Sequence, residues 1–308
     1  MSYNRKHHAF VVLTACATFF LIIAGALVTS NDAGLAVPDW PTSFGSLYRI
    51  PPMVGGVRYE HGHRMVAQFI GLLTIVLALW TWRVERRGWM RKLGFVALGT
   101  VIAQGILGGI TVLYYLPPAV SSAHAALAQT FFALLVAMAV LTGSEWQAEP
   151  PPVVSDLRRP TLRTLSILSM LAVYVQLVLG AGFRHSGMKL LPHLISAVVV
   201  TVLLVWTTTR VFSEHSSVPQ LRRVALLLLS LLMVQLGLGF GAYLTRVEWG
   251  RDAPQPMIEM VATTVAHVAV GALLLAATVV LALYSRRYTV QAPAAEVAMQ
   301  PAKKAVMA

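Results

Sequence analysis

Apolar runs long enough to cross a lipid bilayer dominate the pattern of this chain. A transmembrane helix needs about 20 consecutive, mostly apolar residues, and eight stretches reach that length. They lie near residues 9–30, 62–82, 93–113, 119–142, 162–183, 190–212, 221–244 and 259–284. Basic, polar or proline-containing segments separate them. The pattern therefore predicts an all-α membrane protein with eight transmembrane helices.

Composition agrees with a membrane location and argues against a nucleic-acid partner. Of the 308 residues, 57% are hydrophobic and 12% are charged, which is roughly half the charged share of a soluble domain. The net charge of +12 is also found in nucleic-acid-binding proteins. Here, however, the basic residues lie at the ends of apolar runs, where they set topology, so we expect contact with the lipid bilayer and no nucleic acid.

The distribution of Lys and Arg predicts the orientation of the helices. These residues concentrate in cytoplasmic loops. With the N-terminus inside, 17 of the 24 Lys and Arg residues fall on the cytoplasmic side and 7 fall outside. We therefore predict that both termini are cytoplasmic and that the chain is a multi-pass protein of the cell membrane.

The two halves of the chain resemble each other. Gln104-Gly-Ile-Leu-Gly-Gly matches Gln235-Leu-Gly-Leu-Gly-Phe, and Gln176-Leu-Val-Leu-Gly-Ala is related to both. Small residues allow close helix packing, which by itself explains the glycines. Because each half has four spans, the repeat is predicted to be parallel, with two four-helix bundles related by an axis along the membrane normal. The predicted units are an N-terminal half (1–145), a cytoplasmic linker (146–161), a C-terminal half (162–285) and a disordered tail (286–308).

Four histidines lie near the starts of spans two, four, six and eight: His63, His124, His193 and His267. In the predicted orientation all four fall in the outer half of the membrane, where ionisable side chains are rare and usually functional. Paired axial histidines on facing helices hold haem iron in helical bundles. A lone histidine is more often an interhelical hydrogen-bonding group, but equivalent pairs in both halves favour haem. One zinc ion among the four is a weaker alternative, since no cysteine or carboxylate joins them in the second half.

Only one of the two pockets has a neighbouring carboxylate. Glu60 and His63 are three residues apart and share a helix face, whereas the second half has Leu190 and Leu191 before His193. This difference predicts one reaction site and one electron-carrying site. A membrane-edge ion pair between Glu60 and Arg64 is the alternative interpretation.

Three arginines on the predicted outer side are candidates for binding haem propionates through charge-assisted hydrogen bonds: Arg64, Arg184 and Arg246. Anchoring to lipid headgroups is the alternative for each of them.

Together with Gly34-Leu-Ala-Val-Pro-Asp-Trp-Pro41, these residues resemble the haem A synthase family, and the resemblance extends to about residue 285. It implies oxidation of a methyl group of haem O to a formyl group by successive hydroxylations, giving haem A for cytochrome oxidase assembly. It further implies a haem b on His193 and His267, and substrate haem O near His63 and His124 with Glu60 as the acidic catalytic residue. The haem O synthase is then a candidate partner, and the oxidation requires an electron-transfer partner that no motif identifies.

One departure from the family pattern concerns the first outer loop. Many bacterial relatives have a cysteine pair flanking Pro-Asp-Trp-Pro, and those places are Val37 and Ser43 here. Since the chain has one cysteine, Cys16, we expect any disulfide role of this loop to be absent or replaced.

Two other functions remain as alternatives. A quinol-linked di-haem electron-transfer protein would use the histidine pairs without Glu60, and a haem transporter or assembly chaperone would exchange haem at both pockets. Farnesyl transfer, the preceding step of the pathway, is disfavoured because the spans lack the Asp-rich motifs that hold magnesium pyrophosphate.

Overall fold

The structure is a computed structural model that describes residues 3–149, 151, 153–250, 252 and 256–291. Within these residues, eight helices are long and apolar enough to span a membrane, which confirms the predicted fold class. They are α1 (Arg5–Ser30), α2 (Val57–Val84), α3 (Gly88–Leu113), α4 (Pro118–Thr142), α5 (Leu162–Arg184), α6 (Leu190–Glu214), α7 (Pro219–Tyr243) and α8 (Ile258–Tyr288). The minor elements are a helical turn (Ser144–Gln147), a π-helical turn (Leu244–Glu248) and two strands, β1 (Val154–Asp156) and β2 (Thr289–Gln291).

Local sequence signals set where the helices begin. Pro118 and Pro219 open α4 and α7, at the helical position where a missing backbone N–H removes no hydrogen bond. The Thr161 side chain caps α5 by accepting from the backbone N–H of Thr164 at 3.2 Å. Helix α2 begins at Val57, five residues before the predicted apolar run. Glu60 and His63 therefore both belong to its first two turns.

The eight helices pack as two groups of four. In the first half α1 and α3 each contact both α2 and α4, and in the second half α5 and α7 each contact both α6 and α8. The two groups meet through α1, α4, α5 and α8. A small apolar cluster at this junction consists of Ile22, Phe132, Ala272 and Ala276. The parallel direction of the repeat and the cytoplasmic termini remain predictions.

The segment joining the halves is anchored at the end of the bundle that is predicted to be cytoplasmic. Strand β1 pairs in parallel with β2, with Val154 opposite Thr289. The Asp156 carboxylate accepts from the backbone N–H of Leu162 at 2.5 Å, at the start of α5. Residues 286–291, which we assigned to a disordered tail, are thus the last turn of α8 and strand β2. The rest of the predicted tail, 292–308, lies outside the described residues.

The long loop between α1 and α2 is folded around Asp39. Its carboxylate accepts from the hydroxyl of Thr42 and from the backbone N–H groups of Phe44 (2.7 Å) and Gly45 (2.8 Å). Burial raises the pKa of Asp39, but these hydrogen bonds outweigh it and lower the pKa below its usual value. The loop is therefore held in one shape by its own half-buried carboxylate.

The indole of Trp40 fixes this loop against helix α3. It lies directly over Gly109, where an added Cβ would be 2.6 Å from the ring. No side-chain atom fits between the α3 backbone and the indole. The glycine at this position is therefore required for the loop to dock.

We expect Gly109→Ala to displace Trp40 and loosen the loop, because the new methyl group overlaps the indole ring. The rate of tryptic cleavage after the exposed Arg49, measured on detergent-solubilised protein, should rise severalfold. Gly105→Ala is the matched control one turn earlier, since a Cβ there meets nothing within 4 Å. Equal cleavage rates in the two variants would contradict the conclusion that packing of Trp40 on Gly109 holds the loop.

Candidate functional site

The four histidines lie within the first ten residues of α2, α4, α6 and α8, and the structure brings them together in the predicted pairs. The ring centroids of His193 and His267 are 6.2 Å apart, with their planes at 75°. His63 and His124 lie within electrostatic range of each other. Each half of the molecule thus has one pair of imidazoles from two of its four helices.

His267 is deeper in its helix than its counterparts are. It is the tenth residue of α8, whereas His193 is the fourth residue of α6. Helix α8 has 31 residues and α6 has 25, so α8 begins with extra residues ahead of the site. The rings still meet, and the mismatch seen in the sequence comes from the length of α8.

Each histidine ring packs against a glycine of the preceding helix. A Cβ added to Gly180 would lie 2.9 Å from the ring of His193, and one added to Gly239 would lie 3.1 Å from His267. In the first half, a Cβ added to Gly108 would lie 3.2 Å from His124, and one added to Gly25 would lie 3.2 Å from His63. Cβ atoms essentially never approach within 3.0 Å, and distances up to 3.4 Å are uncommon. We call these four positions the glycine seats. They let the imidazoles fit between closely packed helices.

Three of the four histidines also contact a glutamine one turn before the glycine seat. The side-chain amide nitrogen of Gln104 lies 3.4 Å from Nε2 of His124. The corresponding distance is 3.3 Å both from Gln176 to His193 and from Gln235 to His267. The sequence analysis identified these glutamines only as part of the repeated segments and did not predict their contacts with the histidines. Their spacing of four residues from a glycine, on three helices, was the signal for a shared role.

The hydrogen bonds of His193 determine which nitrogen carries its proton. Nδ1 lies 3.2 Å from the backbone carbonyl of Gln176, and a carbonyl only accepts, so Nδ1 is the donor. In the neutral ring Nε2 then has the lone pair, and the Gln176 amide faces it. Metal-bound histidines have the same arrangement, with the second ring nitrogen donating to a carbonyl or carboxylate.

Glu60 and Arg64 form an ion pair. The sequence analysis gave such a pair as the alternative to a reaction site at Glu60. Glu60 is 4% exposed, and its Oε1 accepts from Arg64 at 2.5 Å. Arg64 also donates to the backbone carbonyls of Val37, Asp39 and Thr42 at 3.1, 2.6 and 3.0 Å. Both terminal nitrogens of Arg64 are therefore engaged with the loop, and its contact with a propionate remains only a prediction.

Val37 and Ser43, the loop positions where the family resemblance implies cysteines, are both attached to the start of α2. The backbone N–H of Val37 donates to Oε2 of Glu60 at 2.8 Å. The hydroxyl of Ser43 lies 3.0 Å from Nδ1 of His61. The loop is thus tied to the residues immediately before His63.

Arg184 and Arg246 lie near each other, close to the ends of α5 and α7. Nη2 of Arg184 donates to the hydroxyl of Ser30 at 2.7 Å, while its Nη1 is buried without a hydrogen-bond partner among the described residues. Burial, followed by the charges of Arg184, His124 and Arg246, lowers the pKa of the adjacent His185 to about 4. This cationic cluster, with an open donor, is suited to a carboxylate.

The residues of the second half fit a haem. Metal–imidazole bonds are roughly 2 Å long, and a ring centre lies about 1 Å beyond its nitrogen, so two imidazoles on one iron have centroids about 6 Å apart. His193 and His267 satisfy that spacing. The open Nη1 of Arg184 supplies a donor for an acidic substituent.

Comparison with known proteins gives consistent matches. The family model described as "Cytochrome oxidase assembly protein" matches residues 57–190, which include Glu60, His63 and His124. A protein named Heme A synthase from Symbiobacterium thermophilum is 33% identical over 251 residues, which are 71% of this chain and 79% of that protein.

Two further relatives have the same name. The one from Shouchella clausii is 29% identical over 229 residues, or 73% of each chain. The one from Lysinibacillus sphaericus is 32% identical over 199 residues, or 62% of each chain. On the strength of these matches, this chain belongs to the haem A synthase family.

Proposed function

We propose that this protein oxidises a methyl substituent of haem O to a formyl group, by successive hydroxylations, and so supplies haem A for cytochrome oxidase assembly. The observation that carries the proposal is the difference between two otherwise equivalent histidine pairs. Both pairs have glycine seats, but a buried carboxylate, Glu60, lies three residues before only one of the histidines.

In the second half, His193 and His267 would hold the iron of a resident haem b. The histidine spacing, the proton position on His193 and the open donor of Arg184 support this assignment. When bound, such a haem supplies one-electron transfer to or from the reaction site. Arg184 and Arg246 would bind and orient its propionates at the predicted outer side of the membrane.

The first half is proposed to bind haem O near His63 and His124. Glu60 lies on the same face of α2 as His63, one turn nearer the loop. A carboxylate there is placed to accept a proton from the carbon being oxidised, or to stabilise positive charge developing on it. Its bonds to Val37 and Arg64 hold the carboxylate in a fixed position.

The loops beside the two histidine pairs also differ, and their difference supports a reaction site in the first half. The connection between α1 and α2 has 26 residues, whereas the connection between α5 and α6 has five. The longer connection is docked on α2 and α3 through Arg64 and Trp40. A covered pocket excludes water from a reaction site, which supports placing the chemistry in the first half.

The proposal is tested by extracting haems from cells that make this protein together with haem O and separating them by chromatography. We expect a haem A peak that depends on the protein. Two permanently bound haems with no haem A would favour the di-haem electron-transfer alternative. Haem that exchanges from both pockets without oxidation would favour the transporter alternative.

We expect His193→Ala to remove the stable haem from the purified protein, because one axial ligand is lost. Absorbance spectra of the detergent-purified variant measure the haem content. His215→Gln is a control at the opposite end of α6 from His193, at the residue that follows the helix, and should keep the haem. Full haem content in His193→Ala would exclude this residue as a ligand.

Glu60→Gln should leave the bound haem in place and reduce haem A formation by about a hundredfold or more, the usual effect of removing a general acid or base. Glu85→Gln is a matched control, since Glu85 is a buried carboxylate at the other end of α2 that also pairs with an arginine, at 2.5 Å. It should keep full haem A output. Unchanged output from Glu60→Gln would refute the division of labour between the pockets.

Gly180→Ala should lower haem occupancy severalfold, because its Cβ would lie 2.9 Å from the His193 ring and push it away. The ratio of haem absorbance to protein absorbance measures this effect. Gly237→Ala is the control in the same half, since its Cβ meets nothing within 4 Å. Equal occupancy in both variants would show that the glycine seat is dispensable.

A further inference from the structure

Three ionisable side chains lie together where the linker between the halves meets the end of α6. Asp156 is the last residue of β1, Glu214 is the last residue of α6, and His215 follows it. One imidazole nitrogen or carboxylate oxygen from each lies within 4.8 Å of the other two. Asp156 and His215 are 3% and 1% exposed. We call these three residues the linker cluster.

Several polar atoms of the linker cluster are buried and have no hydrogen-bond partner within the described part of the chain. They are Oδ1 of Asp156, Oε1 of Glu214 and both ring nitrogens of His215. Buried polar groups in native proteins nearly always have a partner. Nε2 of His215 and Oδ1 of Asp156 are 3.8 Å apart, too far for a hydrogen bond. At that separation both atoms can bind one cation, each at about 2 Å.

The surrounding protein fixes the other oxygen of each carboxylate. Oδ2 of Asp156 accepts from the backbone N–H of Leu162 at 2.5 Å. Oε2 of Glu214 pairs with Arg210 at 3.3 Å, and Arg210 donates to the backbone carbonyl of Pro160 at 2.6 Å. Carboxylates that bind metals are oriented by outer hydrogen bonds in the same way.

The neighbouring charges leave room for a cation. Arg158 lies 3.0 Å from Oε1 of Glu214, but its side chain is 68% exposed, whereas that of Arg210 is 5% exposed. Exposed ion pairs are weak, so Arg158 can turn into solvent and release this oxygen while Arg210 stays. Two carboxylates then face one fixed arginine. Glu214 and His215 also lie at the C-terminal end of α6, where the helix dipole favours positive charge.

We propose that Asp156, Glu214 and His215 bind a divalent transition-metal ion of the zinc type, which fastens the linker between the two halves to the end of α6. One imidazole and two carboxylates suit Zn²⁺, with a water as fourth ligand, whereas Ca²⁺ and Mg²⁺ prefer oxygen ligands alone. Two ligand atoms on one zinc ion are at most about 4 Å apart, so the linker cluster closes by about 1 Å when the ion binds.

This site is separate from the proposed haem sites. It lies at the opposite end of α6 from His193, about 30 Å away along the helix axis. Metal binding there can therefore be measured without interference from haem chemistry.

Zinc binding to the purified full-length protein tests the proposal. The protein carries an affinity tag without histidines, is loaded with haem so that the histidine pairs are occupied, and is stripped of other metals with a chelator. Binding of Zn²⁺ alone is then measured at neutral pH by competition with a fluorescent zinc indicator. We expect one Zn²⁺ per chain that excess Mg²⁺ does not displace. Displacement by Mg²⁺, or the lack of saturable zinc binding, would overturn the proposal.

Replacing each ligand identifies the site. His215→Ala, Asp156→Asn and Glu214→Gln should each weaken zinc binding about tenfold or more, since changes to outer partners of a metal site already cost that much. His215→Cys should restore binding, because a thiolate is also a zinc ligand. His8→Gln and Glu85→Gln are matched controls, a histidine and a buried carboxylate outside the linker cluster, and should bind zinc as the unmodified protein does. Unchanged binding in all three ligand variants would overturn the proposal.

Arg158→Ala should tighten zinc binding severalfold, because it removes the cation that competes for Oε1 of Glu214. A variant that merely folds poorly would not gain affinity, and the haem absorbance of each variant checks its folding. Arg163→Ala, at an exposed arginine of α5, is the control and should leave the affinity unchanged. Weaker zinc binding in Arg158→Ala would contradict the proposed exchange of arginine for metal.

Discussion

Close contact between a histidine ring and the backbone of a neighbouring helix is the constraint on which the rest of this structure depends. Helices in a bilayer gain little from burying apolar surface against one another, so they associate through close packing and a few polar contacts. In this protein four such contacts are imidazoles packed on glycines, one in each of the helix pairs α1–α2, α3–α4, α5–α6 and α7–α8. The same contacts that join the helices therefore also position the chemistry.

Both halves contain these histidine–glycine contacts, but the residues around the contacts differ between the halves. The first half adds a buried carboxylate, an arginine bonded to three backbone carbonyls and a long docked loop. The second half has a short connection and leucines in the corresponding places. An electron-carrying site needs only fixed ligands, whereas a reaction site also needs a group that handles protons and a cover that excludes water. The differences follow that division.

The sequence predicted the parts of this arrangement that depend on local pattern. The eight spans came from hydropathy, and the pairing of His63 with His124 and of His193 with His267 came from their equivalent places in the repeat. The loop contacts were not predictable in this way. Arg64 binds carbonyls 22 to 27 residues earlier in the chain, and Trp40 packs on Gly109 in another helix, so both depend on how distant segments meet. The contacts of Gln104, Gln176 and Gln235 with the histidine rings were likewise not predictable, since the sequence shows only the four-residue spacing of each glutamine from a glycine.

The attachment of the first outer loop has a consequence for how the protein matures. Val37 and Ser43 hold the loop to Glu60 and His61 through hydrogen bonds, at the positions where the family resemblance led us to expect cysteines. Hydrogen bonds form as the chain folds and need no oxidant, thiol oxidoreductase or redox balance outside the cell membrane. Attachment of this loop to α2 through Val37 and Ser43 therefore requires no thiol oxidation and does not depend on the redox state of its surroundings.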